Sequence, residues 1–245
     1  MLQHLSLARN KEMITLRPAA ERGHTNHGWL ETYHTFSFAD FHDPRRIGFR
    51  ELRVINDDRV AAGEGFSPHS HRDMEIITYM VEGQLEHRDN LGNGAVLKPG
   101  DVQHMTAGTG VVHSEFNHSQ EKPLRLLQIW IFPEKKGLVP DYQDRHFDPQ
   151  DRVDRLRLIA STDGRDNSLI INQDVDLYDS SLTHGTEVQL ALRPERHAWL
   201  QVINGELALN GQTLKTGDGA AISAETALKI RGQSENAEFL LFDLK

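Results

Sequence analysis

The stretch Gly63–Gln84, GEGFSPHSHRDMEIITYMVEGQ, sets His69 and His71 two positions apart and then runs into an apolar, β-branched segment. On a β-strand alternate side chains leave the same face, so the two imidazoles project together, about 6.6 Å apart along the strand. A second pair, His113 and Glu115 in GTGVVHSEFN, repeats the same spacing directly after two valines. The two pairs offer three imidazole nitrogens and one carboxylate, a four-ligand shell for a divalent transition metal with one or two open positions. A lone H-x-H is more often solvated surface than ligand. Two such pairs in one β-rich segment, bracketed by glycine turns, favour ligation.

Outward from these pairs the same rhythm continues. Between Gly48 and Phe132, runs such as FRELRVIND, QLEHRDNLGNG, AVLKPGD and LRLLQIWIFP alternate with turn residues and show no strong helical period, which predicts an all-β sandwich or barrel. The segment 132–156 breaks the rhythm with three prolines, a glycine and many charges, and reads as a boundary. Beyond it LIINQDVDLYDSSL, EVQLALRP, AWLQVINGELALNG and EFLLFDL form a second set of strands. The halves also share a local pattern: YMVEGQLEHRD…LKPGDVQHM and QVINGELALNG…LKTGDGAAI each place a strand, a G-x-L turn and a Lys-x-Gly-Asp turn in the same order. Such similarity points to an internal duplication.

Composition narrows the chemistry. The chain has 245 residues, 36 acidic against 27 basic side chains and a formal net charge of -9, with no Lys/Arg-rich run. Nucleic acid and anionic membranes are therefore poor partners. Without cysteine there is no disulfide framework, thiolate metal site or cysteine nucleophile, so any metal is held by nitrogen and oxygen. No signal-peptide-like apolar core or run of 18 apolar residues occurs, and a cytoplasmic location is expected. No Walker pattern, dinucleotide fingerprint or G-x-S-x-G elbow is present.

The motifs resemble a known family. Gly63, His69, His71, Glu75 and Gly83 are similar to the first cupin motif, and Pro99, Gly100, His113 and Asn117 to the second. Together with RGHTNHGWLETYHTFSFADF, MTAGTGVVHSE and LQIWI, the stretch from Ile14 to Phe132 resembles the pirins, particularly their bacterial quercetinase-like members, and the likeness continues less sharply to Leu244. The resemblance implies a bicupin of two tandem jelly-roll-type β-barrels with few short helices: 14–133 carrying the metal, a linker over 134–156, and 157–245 without metal ligands. Residues 1–13 precede the family-like start and read as a disordered extension or a misassigned start.

Carried over by position, the family's ligands fall on His69, His71, His113 and Glu115. The resemblance implies Fe²⁺, with Zn, Ni, Co, Mn or Cu as alternatives accepted by the same donors. It also implies a flavonol substrate and dioxygen, opening of the flavonol C-ring with loss of carbon monoxide, and Glu115 as the catalytic carboxylate taking the flavonol proton. A metal-dependent regulatory module with a protein partner and no physiological turnover is the competing reading.

The remaining candidates take lesser roles. Glu75 shares strand parity with His69 and His71 but lies about 13 Å along a regular strand from His71, so it is expected beside the ligands or facing substrate rather than on the ion. His104 is expected to line the pocket. His24, His27, His34 and His42 read as scaffold and interdomain packing, His197 as a packing histidine, and Trp29, Trp130 and Trp199 as core anchors.

Overall fold

The computed structural model of the chain describes residues 13–245, in which helix is confined to three single 3-10 turns, Ala19–Glu21, Pro149–Arg152 and Arg165–Asn167. Apart from Met13, the extension expected over residues 1–13 lies outside the described residues. No helix among them is long and apolar enough to cross a membrane.

The strands form two similar two-sheet units. In the first, a seven-stranded sheet runs Asp141–His146, Asp101–Thr106, Glu75–Glu82, Leu124–Ile131, Leu52–Val60, Leu30–His34 and Gly23–Asn26. Beside it stands a four-stranded sheet of Gly65–His71, Val111–Asn117, Leu85–Asp89 and Gly94–Leu97. The second unit repeats the plan, with seven strands in the order Ile14–Arg17, Gly219–Ser223, His197–Asn204, Ala237–Leu244, Val175–Leu182, Arg157–Ser161 and Leu169–Ile170. Its smaller sheet holds Glu187–Ala191, Ala227–Gly232, Glu206–Leu209 and Gln212–Lys215.

Two strands cross the boundaries read from the sequence. Ile14–Arg17, placed by its position with the first barrel, pairs with Gly219–Ser223 of the second, and Met13 continues this by accepting a bond from the Ser223 amide at 2.8 Å. The supposed linker contains Asp141–His146, which pairs with Asp101–Thr106 as the edge of the first large sheet. The same edge is thus covered in both units, once by a strand that follows it and once by a strand from the chain's start. An uncovered edge exposes a row of unpaired backbone groups, and these two strands cover it on both sheets.

The Lys-x-Gly-Asp pattern has a structural basis. In each unit the glycine, Gly100 or Gly217, takes a positive φ of 93° or 84°. The following Asp carboxylate accepts the lysine amide at 2.9 Å, from Lys98 to Asp101 and from Lys215 to Asp218. Glycine reaches that φ without steric cost, and the Asp side chain closes the turn.

The two large sheets pack back to back. Alternation along Leu124–Ile131 sends Leu127, Ile129 and Ile131 into this seam, where they join Ile77, Tyr79, Trp199, Leu240 and Phe242 in one cluster. The other face of the strand, with Leu124 and Leu126, looks into the first unit, so LRLLQIWI is apolar on both faces. Polar groups fix the register of the seam: Arg125 donates to both Asp57 oxygens at 2.8 and 2.9 Å and to Asn204 Oδ1 at 2.9 Å. Trp199, 1% exposed and 4.8 Å from the Phe36 ring, is its largest side chain. Trp199→Ala is expected to lower unfolding free energy by about 3–5 kcal/mol, read from denaturant midpoints; a loss below about 1 kcal/mol would show that the seam closes over the cavity.

Candidate metal centre

Two antiparallel strands bring the histidines together. Gly65–His71 pairs with Val111–Asn117 so that His113 lies directly opposite His69. Along Val111–Asn117 the inward residues are Val111, His113, Glu115 and Asn117, the alternation that the spacing of His113 and Glu115 required. A register shift between His113 and Glu115 in the pairing with Gly65–His71 marks an irregularity beside the site. The ring centroids of His69 and His113 are 4.4 Å apart, and those of His71 lie 4.9 Å from each.

The potential ligand atoms of His69, His71 and His113 all lie within 4.8 Å of one another. His69 Nδ1 is 2.8 Å from the Ser67 carbonyl, which accepts its proton and leaves Nε2 as the free donor atom. His113 Nε2 is buried without a hydrogen-bond partner among the described residues. A buried ring nitrogen without a partner is costly unless something absent from the polypeptide meets its lone pair, and three converging nitrogens suit a divalent transition metal. Glu115 falls in a second group at the same spacing, with His113 and His87. Its carboxylate accepts from Thr78 Oγ1 at 3.3 Å and Gln128 Nε2 at 3.1 Å.

Burial sets the charges. It drives the His113 imidazolium down to about 2, reinforced by His69 and His71, and the His71 value down to about 4. Burial raises the Glu115 carboxyl to about 7, with nearby Asp58, itself raised to about 7 by burial, adding to the effect. Neutral imidazoles are what ligation requires, and a cation beside Glu115 favours its ionised form.

In front of the cluster opens a cavity of about 230 Å³. His69, His71, Glu115 and Gln128 line one side, Phe38, Phe66 and Trp130 supply aromatic walls, and Thr32, His34, Asn56 and Asp58 supply polar ones. Trp130, read from sequence as a core anchor, packs against the cluster of Ile76, Met105 and Val111 and also meets the His71 ring edge-on, with centroids 5.0 Å apart. His27 and His34, read as scaffold, also border the cavity.

Glu75 and His104 lie elsewhere, which corrects their expected places beside the ligands and in the pocket. Gly65–His71 belongs to the small sheet and Glu75–Glu82 to the large one, and between them Asp73 takes a positive φ of 51°. Parity counted across that crossing has no meaning. Glu75 shares a face with Ile77 and Tyr79, the seam face, where Oε2 meets His104 Nε2 at 2.8 Å, Thr106 Oγ1 at 3.1 Å and the Asn172 amide of the second unit at 3.0 Å. Burial would raise its carboxyl, but His104 and Asn172 bring it below the ordinary carboxylate value. Sequence reasoning also passed over His87, fully buried on Leu85–Asp89 and 3.5 Å from His113. Its signal was the inward parity of Leu85 and His87 on a short strand.

Comparison with known proteins agrees with this architecture. A family model for pirin matches residues 15–131, and a model for a quercetinase C-terminal cupin domain matches residues 158–244. The chain belongs to the pirin family. It is 48% identical over 232 residues to a protein of Escherichia coli strain K12 named quercetin 2,3-dioxygenase, covering 95% of this chain and 99% of that one. It is 44% identical over 233 residues to a Pseudomonas aeruginosa protein named putative quercetin 2,3-dioxygenase PA1210, covering 95% and 100%. Among solved structures, the E. coli bacterial pirin YhhW in complex with nickel(II) superposes with a TM-score of 0.90 at 48% identity, covering 95% of this chain and 99% of that one. This pirin is accordingly an all-β bicupin, and its three-imidazole group is of the kind that takes a divalent metal.

The metal-free protein should show opposing pH effects. His113 and His71 have folded values far below their ordinary 6.5, so the unfolded chain binds protons there that the folded chain refuses, and stability falls as pH drops through 6.5. Glu115 acts oppositely: its folded value of about 7 exceeds the ordinary 4.5, so its contribution is lost as pH rises from 4.5 through 7. Denaturant midpoints of chelator-treated protein should decline on the acid side, less steeply in His113→Gln, and Glu115→Gln should gain on the parent above neutrality. An unchanged acid limb in His113→Gln would contradict the buried neutral imidazole.

Proposed function

We propose that the protein is a metal-dependent dioxygenase that opens the C-ring of quercetin-like flavonols. The observation that carries this reading is the unpartnered Nε2 of His113, set among His69 and His71 at the back of a cavity with aromatic walls. His69, His71 and His113 would hold the ion, with Glu115 as the carboxylate beside them that completes the set. Nitrogen and oxygen donors with an open position suit Fe²⁺, and the same donors accept nickel and other divalent ions. A bound cation supplies Lewis acidity toward a substrate hydroxyl and, if ferrous, one-electron chemistry toward dioxygen.

The side chains account for the rest. Phe38, Phe66 and Trp130 give a planar aromatic molecule faces to pack on, and the polar groups opposite give its hydroxyls partners. Glu115 takes the 3-hydroxyl proton: a neighbouring cation keeps its carboxylate ionised and able to accept, and Thr78 and Gln128 hold its oxygens in place. In the net reaction both atoms of dioxygen enter the product and two bonds of the C-ring break. Carbon 3 leaves with its own oxygen as carbon monoxide, and the proton ends on the carboxyl of the depside.

His69→Ala and His113→Ala should each reduce bound metal at least tenfold, by elemental analysis, with the circular dichroism of the parent retained. Glu75→Gln, at the seam, should keep parental metal content; metal loss there with retention in Glu115→Gln would exchange the two carboxylates' roles. In an aerobic assay following the quercetin absorption band, added Fe²⁺ should support turnover, and Glu115→Gln should lower it about 10²- to 10⁴-fold. Absence of turnover with every divalent metal would leave a metal-binding regulatory module as the function.

A further inference from the structure

Behind His113, on the side away from the cavity, lies a buried polar chain that the proposed reaction does not use. The strand Leu85–Asp89 pairs with Val111–Asn117 so that His87 lies opposite Glu115 and Asp89 opposite His113. The side chains of His87 and Asp89 are both completely buried. Asp89 is anchored by its own turn: Oδ1 accepts the amides of Leu91 and Asn93, each at 2.9 Å, and Oδ2 accepts Asn93 Nδ2 at 2.9 Å. Three N–H donors on its two oxygens mark it as a carboxylate, able only to accept.

That single fact orders the protons along the chain. His87 Nε2 lies 3.4 Å from Asp89 Oδ2, so Nε2 carries the proton. With the ring completely buried and its one proton on Nε2, Nδ1 is left as an acceptor. His113 Nδ1 lies 3.5 Å from His87 Nδ1, and only a proton on His113 makes that contact favourable. His113 Nε2, the buried nitrogen without a partner, then presents a lone pair toward His69 and His71. The Tyr142 ring, stacked on His87 with centroids 4.8 Å apart, fixes the imidazole plane.

We propose that Asp89 and His87 are positioning residues that lock His113 in its Nδ1–H tautomer and so aim Nε2 at the metal. The inference rests on the metal site proposed above. The alternative use of these atoms, a second ion held by His87, His113 and Glu115, requires His113 to give up both ring protons while Glu115 already accepts from Thr78 and Gln128. A proton between the two rings satisfies the same spacing at no such cost.

The test uses the full chain with zinc, its affinity measured by chelator competition. His87→Phe keeps the stack on Tyr142 and removes the acceptor; His87→Gln sacrifices the stack but offers an oxygen to His113 Nδ1–H. Positioning predicts about 10- to 100-fold weaker zinc binding for His87→Phe, recovered in large part by His87→Gln, and a comparable loss for Asp89→Asn. A packing role predicts the reverse order of the two His87 variants. On the parent, long-range proton–nitrogen NMR of histidine-labelled, zinc-loaded protein should find His113 bound through Nε2 with a proton on Nδ1. Parental affinity in His87→Phe, glutamine no better than phenylalanine, His113 bound through Nδ1, or a second zinc equivalent abolished by His87→Phe would each overturn the relay while leaving the primary site standing. If the parent takes up no divalent metal at all, the site reading falls as well.

Discussion

Three imidazoles pressed together inside a β-barrel form an arrangement that a polypeptide has little reason to build for its own stability. At His113 the ring is buried, and its Nε2 lone pair finds no donor among the described residues. The pairing of His69 against His113 enforces the arrangement, because cross-strand neighbours cannot move apart without breaking the ladder between Gly65–His71 and Val111–Asn117. The rest of the first unit is organised around tolerating that cost. Apolar clusters close the interior at both ends, around Leu85, Leu97 and Leu124 on one side and around Ile76, Met105 and Val111 on the other, leaving the polar groups between them.

The large sheet makes this possible by serving two interiors at once. Along Glu75–Glu82 and Leu124–Ile131 one face fills the seam while the other carries Thr78, Gln128 and Trp130 into the site. The hydrophobic driving force is therefore supplied largely on the far side of the sheet, where the second unit covers it. A polar, functional interior and a stable apolar core occupy opposite faces of the same strands. The second unit repeats the frame, down to the Lys-x-Gly-Asp turn, and fills its own interior with Leu200, Leu207, Ile222, Leu228 and Ile230. Its contribution to the first is structural cover, reinforced by Arg125 and by Asn172 across the seam.

Strand parity within a single strand was legible from sequence, and it carried His69, His71, His113 and Glu115 to their inward positions. Parity failed for Glu75 because the chain changes sheets at Asp73, a turn whose backbone conformation no side-chain pattern announces. His87 and Trp130 escaped for a different reason. Each is a single residue to which its own strand's pattern gives no role, and only the pairing of that strand with Val111–Asn117, or its face toward the cavity, supplies one.

The amino-acid sequence by itself determined an all-β chain of two related halves, a metal-competent set of side chains in the first, and the turns that separate the strands. These follow from period-two patterning, from glycine and aspartate at defined turn positions, and from the donor chemistry of the side chains, all local properties. Only the tertiary structure decided that Ile14–Arg17 closes the second unit and Asp141–His146 the first, that Glu75 belongs to the seam, and that His87 stands behind His113. Those outcomes depend on which strands share hydrogen bonds across long separations in the chain, and strand partnership is set by the burial of whole faces rather than by any residue's own pattern.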